Sequence, residues 1–427
     1  MKQSALRLHS LSIAGSILIS STILSTNSLA SGFAIIENSA SGMGQAFAGA
    51  AAVAEDPSTI FFNPAGMMYL EGTQMTAGLH IVDTSTEFSN KGTTPIALTG
   101  TNEGGNAGDT FYIPNFYYVQ DFAEKYKIGI GVNAPIGLAT DYDNGWMGRY
   151  AATKSDVKTV NINPSIAFRA NEKLSIGLGM DIQYMEATLK KDINQTYLGQ
   201  SDAKVKVDGD SWALGFNGGF IYQYTPETRI GMHYRSKISH TLDGHVKYKN
   251  LSPYIPLTNQ GAEADMDTPS SFSVSMTHDL NSRLTLLGDV TFTEWSNFNE
   301  LKVEGDDGST VSLVEQNWDD TYRYSLGLKY QYNEQWIFRT GIARDETPTS
   351  NQYRTARIPG EDRDWLSLGA SYSANKNLTI DVGYSHLWID DSKLKEEFTI
   401  PGSAPGVLEG EYDADVDILS VQGTWKF

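Results

Sequence analysis

The sequence predicts an all-β fold, a 14-stranded antiparallel transmembrane β-barrel with an N-terminal plug, or hatch, inside its lumen. Three observations predict it. Apolar residues alternate with small or polar ones in segments along most of the chain. Short polar turns and longer polar stretches take turns between those segments. The chain ends on Phe427, in a strand where Leu419, Val421, Gly423, Trp425 and Phe427 share one face. A strand repeats with period two, so this alternation gives it one oily and one largely wet face. A bilayer admits only helices and closed barrels, because every backbone polar group must be satisfied internally.

Residues 1–30 read as a signal peptide. Lys2 and Arg7 supply a positive start, Leu11–Leu24 an apolar stretch diluted by serine, and Ser28-Leu29-Ala30 small residues for cleavage after Ala30. Beyond Ala30 no apolar run approaches the roughly 18 residues of a membrane helix. That leaves an exported soluble protein or a barrel whose apolar residues hide in alternation. Forty glycines and 22 tyrosines, with 40% hydrophobic residues, suit the barrel. The absence of cysteine excludes disulfides and thiolate metal sites. The formal charge of −19, which becomes −21 without Lys2 and Arg7, argues against nucleic-acid partners and is explained by solvated loops.

Residues 31–72 break the strand pattern and are predicted to form the hatch. They are rich in glycine and alanine, with helix-like stretches around Gly44–Ala54 and Pro57–Phe62. Asp56-Pro57-Ser58 reads as a helix start. A segment this apolar suits a lumen better than a solvated tail.

Residues 73–427 are predicted to form the barrel. The clearest alternation runs through Leu174–Tyr184, Tyr322–Tyr330, Leu366–Tyr372 and Leu378–Tyr384. The opposite face of these strands holds glycine, serine and charges such as Asp181, Arg323, Lys329 and Asp381, which suits a wet lumen. Six short turns lie near residues 124, 171, 226, 281, 333 and 375. Longer polar stretches fall at 89–109, 191–210, 250–267, 299–319, 346–362 and 392–412. Six turns and seven longer connections join 14 strands, and an even count leaves both barrel ends on the periplasmic side. Val132–Leu138 interrupts a strand with Pro135 and Gly137, a place where hydrogen-bonded pairing fails or an ordinary bulge forms. Trp425 and Phe427 read as the terminal assembly signal.

The stretch 31–67, SGFAIIENSASGMGQAFAGAAAVAEDPSTIFFNPAGM, resembles the hatch of the FadL/TodX-type outer-membrane transporters for long-chain fatty acids and other hydrophobic compounds. The resemblance rests on Gly32-Phe33, Glu37, Ser41-Gly42-Met43-Gly44, Ala48-Gly49 and Asn63-Pro64-Ala65. Trp295-Ser296, Trp318–Arg323, Arg339–Ala343 and Ile358–Trp365 extend it over essentially the whole mature chain. It implies a 14-stranded barrel in the bacterial outer membrane, occluded by its hatch. It also implies a route: capture among outer loops, passage to a hatch-gated pocket, and lateral exit through a kinked third strand. The matching kink here is Gly137-Leu138-Ala139, so Pro135, Gly137 and Leu138 are expected to shape the exit. Asn63-Pro64-Ala65 is expected to fix the hatch to the wall, or to be a plain turn. Phe33, Ile35 and Ile36 are expected to touch an acyl chain or to serve as core. Leu251, Tyr254, Ile255 and Leu257, with Tyr197 and Leu198, are expected to form the outer groove.

In the family an Arg and a Lys hold the carboxylate, and the matching positions here read as Glu186 and Val314, neither able to bind an anion. Lys190, Lys191, Arg323 or Arg339 are the substitutes, and neutral hydrophobic cargo stays open. The rival readings are a general diffusion porin and a surface adhesin or receptor barrel. No histidine has a metal-ligand or triad neighbourhood, so no enzyme, no metal and no cofactor is expected. The expected partners are hydrophobic small molecules, outer-membrane lipids and the barrel assembly machinery, with no nucleic acid, and the barrel is expected to be a monomer.

Overall fold

The structure, a computed structural model, describes residues 32–401 and 404–427. The predicted signal peptide and its cleavage site lie outside the described residues. Twenty strand segments form one closed sheet. In chain order they are β1 (Gln74–Asn90), β2 (Thr110–Ala123), β3 (Tyr126–Asn133), β4 (Gly137–Asp141), β5 (Lys154–Arg169), β6 (Leu174–Ile193) and β7 (Ala203–Gln223). There follow β8 (Thr228–Arg235), β9 (Ile238–Lys249), β10 (Gln260–Thr268), β11 (Ser270–Asp279), β12 (Leu284–Glu294), β13 (Glu300–Gly305) and β14 (Thr310–Glu315). The last are β15 (Thr321–Gln331), β16 (Trp336–Asp345), β17 (Arg363–Asn375), β18 (Leu378–Ile389), β19 (Ser392–Phe398) and β20 (Gly406–Lys426). Six crossings are made of two segments each, β3/β4, β8/β9, β10/β11, β12/β13, β14/β15 and β18/β19, so the wall has fourteen strands. Every neighbouring pair is antiparallel, and β1 closes on β20 from Gln74 opposite Lys426 to Asn90 opposite Gly410.

Alternation explains the wall. On β6 the side chains of Ser175, Asp181 and Gln183 are buried inward while Leu178 and Met180 are exposed outward. Trp212, Leu214 and Phe216 do the same on β7. Aromatic pairs gather at both margins of this oily band. Tyr126 with Phe168 and Trp336 with Tyr372 stand near the short turns, and Tyr184 with Trp212 and Phe292 with Tyr322 stand near the long loops. Phe427 is exposed and its N–H donates to Thr73 O at 3.0 Å, while the Trp425 ring covers Gly423.

The six short turns fall where the sequence predicts them. The long stretches differ: much of 191–210, 250–267, 299–319 and 392–412 is strand. β13 and β14 form a hairpin inside 299–319, and β6 and β7 pair out to Ile193 and Ala203. Beyond the bilayer both faces of a strand can meet water, so the backbone ladder continues after the apolar half of the alternation is lost. The connection 142–153 lacks a long polar run and is held instead by buried aromatics, with Trp146 stacked on Tyr142 at 3.8 Å.

The hatch contains α1 (Ala40–Met43), α2 (Ala50–Val53), α3 (Thr59–Phe62) and a 3-10 turn at Pro64–Tyr69. The helix-like stretch expected around Gly44–Ala54 forms only at Ala50–Val53, after a turn. There Ala46, Phe47 and Gly49 adopt φ of 51°, 55° and 76°. Its anchors reach around the whole ring. Ala40 N–H donates to Gln422 of β20, Ala51 N–H to Ser275 of β11, and Tyr117 of β2 donates to Asn38 O. A segment held from all these sides occupies the lumen.

Candidate functional site

The hatch body docks by close backbone approach and buried polar pairing. Asn63 Nδ2 donates to three carbonyls: Ala51 O at 2.7 Å, Phe220 O at 3.1 Å and Met232 O at 3.2 Å. Its Oδ1 accepts from Ala65 N at 3.1 Å. One buried amide thereby ties the helical hatch to β7 and β8, using the donors and acceptor that asparagine offers. Pro64 and Ala65 lie against β6, where a Cβ on Gly177 would meet Ala65 N at 2.2 Å. Only glycine lets the two backbones come that close. Farther round, Glu55 pairs with Lys329 and with Arg339, the latter at 2.8 Å, and Arg323 donates to Ala46 O at 2.9 Å.

The leading peptide, residues 32–37, meets a break in the wall. β2 pairs with β3 from Ala123 to Phe116, but Thr110–Asn115 have no partner on that side, because β4 pairs only with β5. Between β3 and β4 lie Ala134, Pro135 and Ile136, and proline cannot donate to a ladder. The leading peptide supplies the missing pairing: Ile35 N–H donates to Pro135 O at 2.8 Å, and Gly137 N–H donates to Phe33 O at 3.0 Å. Ile35 Cδ1 fills the space a Gly137 side chain would take, 2.5 Å from its ideal Cβ.

Above this break lies a small apolar cavity, open to solvent on part of its boundary. Phe33, Leu138, Val157, Leu242, Met266 and Phe298 are among its walls. Phe33 is the hinge of the arrangement. Its ring packs edge-on against Trp295 at 4.8 Å and Phe298 at 5.6 Å, and tilted against Trp318 at 5.4 Å. Ile36 packs away from the cavity, with the cluster of Met43, Phe47 and Trp365. The strand register orders the inner faces of β5 and β6. From the mouth inward, Val157 and Ala187 line the cavity, Thr159 bonds both backbone groups of Ile136, and Asn161, Asn163 and Asp181 follow, with Gly177 against the hatch.

The residues expected to form the outer groove lie in an outer connection, apart from this cavity. Leu251, Tyr254, Ile255 and Leu257 belong to the outer connection after β9, with Tyr254 81% exposed, and none borders the cavity. Their loop leaves the wall at Lys249, beyond the reach of the inner face. Glu186 points outward, on the opposite parity to Ala187, and Val314 pairs with Leu301 in the β13–β14 hairpin. None of Lys190, Lys191, Arg323 and Arg339 borders the cavity either. Arg357, which sequence reasoning missed, does. Its guanidinium donates to Lys154 O, Ser155 Oγ, Ala151 O and Lys190 O at 3.1 to 3.3 Å. Burial pulls its pKa down to about 10 against the attraction of Glu396. The missed wall residues carry a signal in hindsight: Val157, Ala187 and Leu242 are apolar on the lumen-facing parity. Among the described residues one group could hold a metal, His386 with Asp415 and Asp417, on the outward face of β18 and β20 and away from the lumen.

Comparison with known proteins gives consistent matches. A family model described as outer membrane protein transport protein (OMPP1/FadL/TodX) matches residues 21–427. The long-chain fatty acid transport protein of Salmonella typhi is 30% identical over 400 residues, covering 88% of this chain and 91% of the relative. Outer membrane protein P1 of Haemophilus influenzae is 29% identical over 409 residues, covering 87% and 89%. The crystal structure of a Pseudomonas aeruginosa FadL homologue superposes with a TM-score of 0.87 at 26% identity, over 93% of this chain and all of that one. The Pseudomonas putida toluene transporter TodX shares the fold, with a TM-score of 0.69 at 16% identity over 94% of this chain and 100% of that chain.

Proposed function

The chain belongs to the OMPP1/FadL/TodX family of outer-membrane transport proteins, and from that premise we propose that it carries long-chain fatty acids or similar hydrophobic compounds across the outer leaflet and releases them sideways into the membrane. The observation that carries the proposal is the break between β2 and β4, filled by the leading peptide at the foot of an apolar cavity. Cargo enters the cavity, displaces Phe33 and its neighbours from the kink, and leaves through the unpaired edge. Lateral exit fits the energetics. Each buried methylene contributes about 0.8 kcal/mol, so a long chain entering the aqueous periplasm forfeits on the order of 10 kcal/mol. The hatch body fills the lumen, which disfavours the rival reading as a general diffusion porin. Within this reading the chain performs transport without chemistry, acts as a monomer, and uses Trp425 and Phe427 as the signal to the barrel assembly machinery.

The absence of cysteine allows a clean test. Ala34 and Ile136 form an antiparallel bridge, a separation that a disulfide can span. An A34C/I136C variant, oxidised in intact cells, is expected to lose at least about tenfold in uptake of a labelled fatty acid and to regain it on reduction. Equal uptake by the oxidised and reduced forms would sink lateral release through this gap.

A further inference from the structure

The kink between β3 and β4 is held on its two sides by unlike means. Asn133 stands opposite Asn161 of β5, and Gly137 stands opposite Lys158. Four steps along the kinked strand therefore span three along β5, so the kink holds one extra residue, a bulge. The extra residue reverses the alternation of faces. Asn133 is buried before the kink, whereas Leu138 lines the cavity and Thr140 is buried after it. A bulge displaced by one residue would turn such side chains to the opposite face. Its position thus decides what faces the cavity and where the free rim of β4 begins.

On the gap side the kink is bonded to the leading peptide, through Pro135 O and the Gly137 N–H. On the β5 side Ala134, Pro135 and Ile136 fall outside the backbone ladder. One side chain replaces that ladder. The buried Thr159 Oγ1 accepts from the Ile136 N–H at 3.0 Å and donates to Ile136 O at 2.7 Å. A hydroxyl can do both at once. Both rims of the gap also carry a proline, Pro114 on the unpaired stretch of β2 and Pro135 in the kink, and neither can donate to a closing ladder. When the leading peptide leaves, the Thr159 bonds are what still tie Ile136 to the wall.

We infer that Thr159 is a positioning residue: it pins the bulge at Ile136 and so keeps the lateral gap framed while the leading peptide moves. This rests on the transport reading above and adds to it the part of the exit that must stay still. Cargo can displace a strand-like peptide from one edge of the kink because the other edge is fastened independently.

The test uses the whole barrel, in cells and in lipid nanodiscs, with labelled hexadecanoate as the probe. Thr159→Val keeps the shape of the side chain and leaves both backbone groups of Ile136 unpaired. Uptake is expected to fall about tenfold, and exchange of the Ile136 amide to quicken by a similar factor. Affinity for hexadecanoate should not change, since the seated peptide still holds the kink. Thr159→Ser restores the hydroxyl and should restore both uptake and protection. Thr159→Ala, which removes the hydroxyl without adding a methyl group, should behave as T159V and serves if T159V fails to assemble. Undiminished uptake by the variants lacking the hydroxyl, or no rescue by T159S, would overturn the assignment. So would a loss of affinity that matches the loss of uptake, the mark of a merely damaged cavity wall. If oxidised A34C/I136C takes up hexadecanoate as fast as its reduced form, lateral release fails and Thr159 loses its role with it. If that lock works while T159V is indifferent, the Thr159 assignment alone fails. No uptake by the wild type would overturn the fatty-acid reading beneath both.

Discussion

The N-terminal segment meets the barrel in two different ways. Its body, residues 40–70, is locked by Asn63 on two wall carbonyls, by Glu55 between two cations, and by glycines such as Gly44, whose ideal Cβ would sit 2.7 Å from Gly369 Cα. Its leading peptide, residues 32–37, is held by two backbone hydrogen bonds at the kink, by Arg363 on Gly32 O at 3.3 Å, and by apolar packing of Phe33, Ile35 and Ile36. Buried pairs and backbone contacts resist displacement because breaking them leaves uncompensated polar groups. Apolar packing next to a cavity can be exchanged for packing against a ligand. That contrast predicts a fixed body and a movable leading peptide.

The largest effect should come from Glu55→Ala, which strands Lys329 and Arg339 against the hatch without their shared partner. About 3 kcal/mol of docking stability should be lost. Amide exchange across 40–70 should accelerate, and a polar antibiotic should leak through a barrel that stays folded on gels. Unchanged exchange would show that the body is held by packing alone. Next comes Phe33→Ala, expected to cost about 3 kcal/mol as a buried aromatic truncation. Here exchange should rise at 33–37 while the body stays protected. If both regions loosen together, the division into fixed and movable parts fails.

The smallest effect concerns the outer loop 346–362, whose Arg357 O accepts from Thr140 and whose Ile358 shares the cavity wall with Phe33. Burial raises Glu361 to about 7, against the attraction of Arg354, and raises Asp362 to about 6, against Arg344. Carboxyls raised in the fold contribute stability that is complete below their ordinary range and lost as pH climbs through 6 and 7. Relative to the hatch body, whose amides share the base-catalysed rise in exchange rate, protection in 346–362 should thus be up to about tenfold lower at pH 8 than at pH 5. The hatch body serves as internal reference. The opposite trend would mean that the Arg354–Glu361 pair outweighs burial.

Much of this was legible in the chain because strand alternation is local. Leu174–Tyr184 and Leu378–Tyr384 reveal their faces without knowledge of any neighbour, and turns such as Asn171-Glu172 mark the crossings. The cavity was not legible, since its walls come from β5, β6, β9, β10 and the leading peptide, brought together only by closure. Tyr254 and Leu257 stand exposed in an outer connection, where the sequence places them, while the cavity wall is drawn from other elements. Glu186 illustrates how sensitive such reading is to register: one residue decides between lumen and exterior. The kink was readable from Pro135, whereas its pairing with residues 33–35 depends on a contact a hundred positions away.

β7 is 21 residues long and β6 is 20, far more than a bilayer requires. At about 3.3 Å per residue such a strand measures nearly 70 Å, or roughly 50 Å of height once tilted, against an oily belt of about 25 Å. The surplus rises on the cell's exterior as a chimney, lifting the mouth above the sugar-coated headgroup zone. Greasy molecules dispersed in the surrounding water can be collected there directly, without first dissolving in a leaflet that repels them.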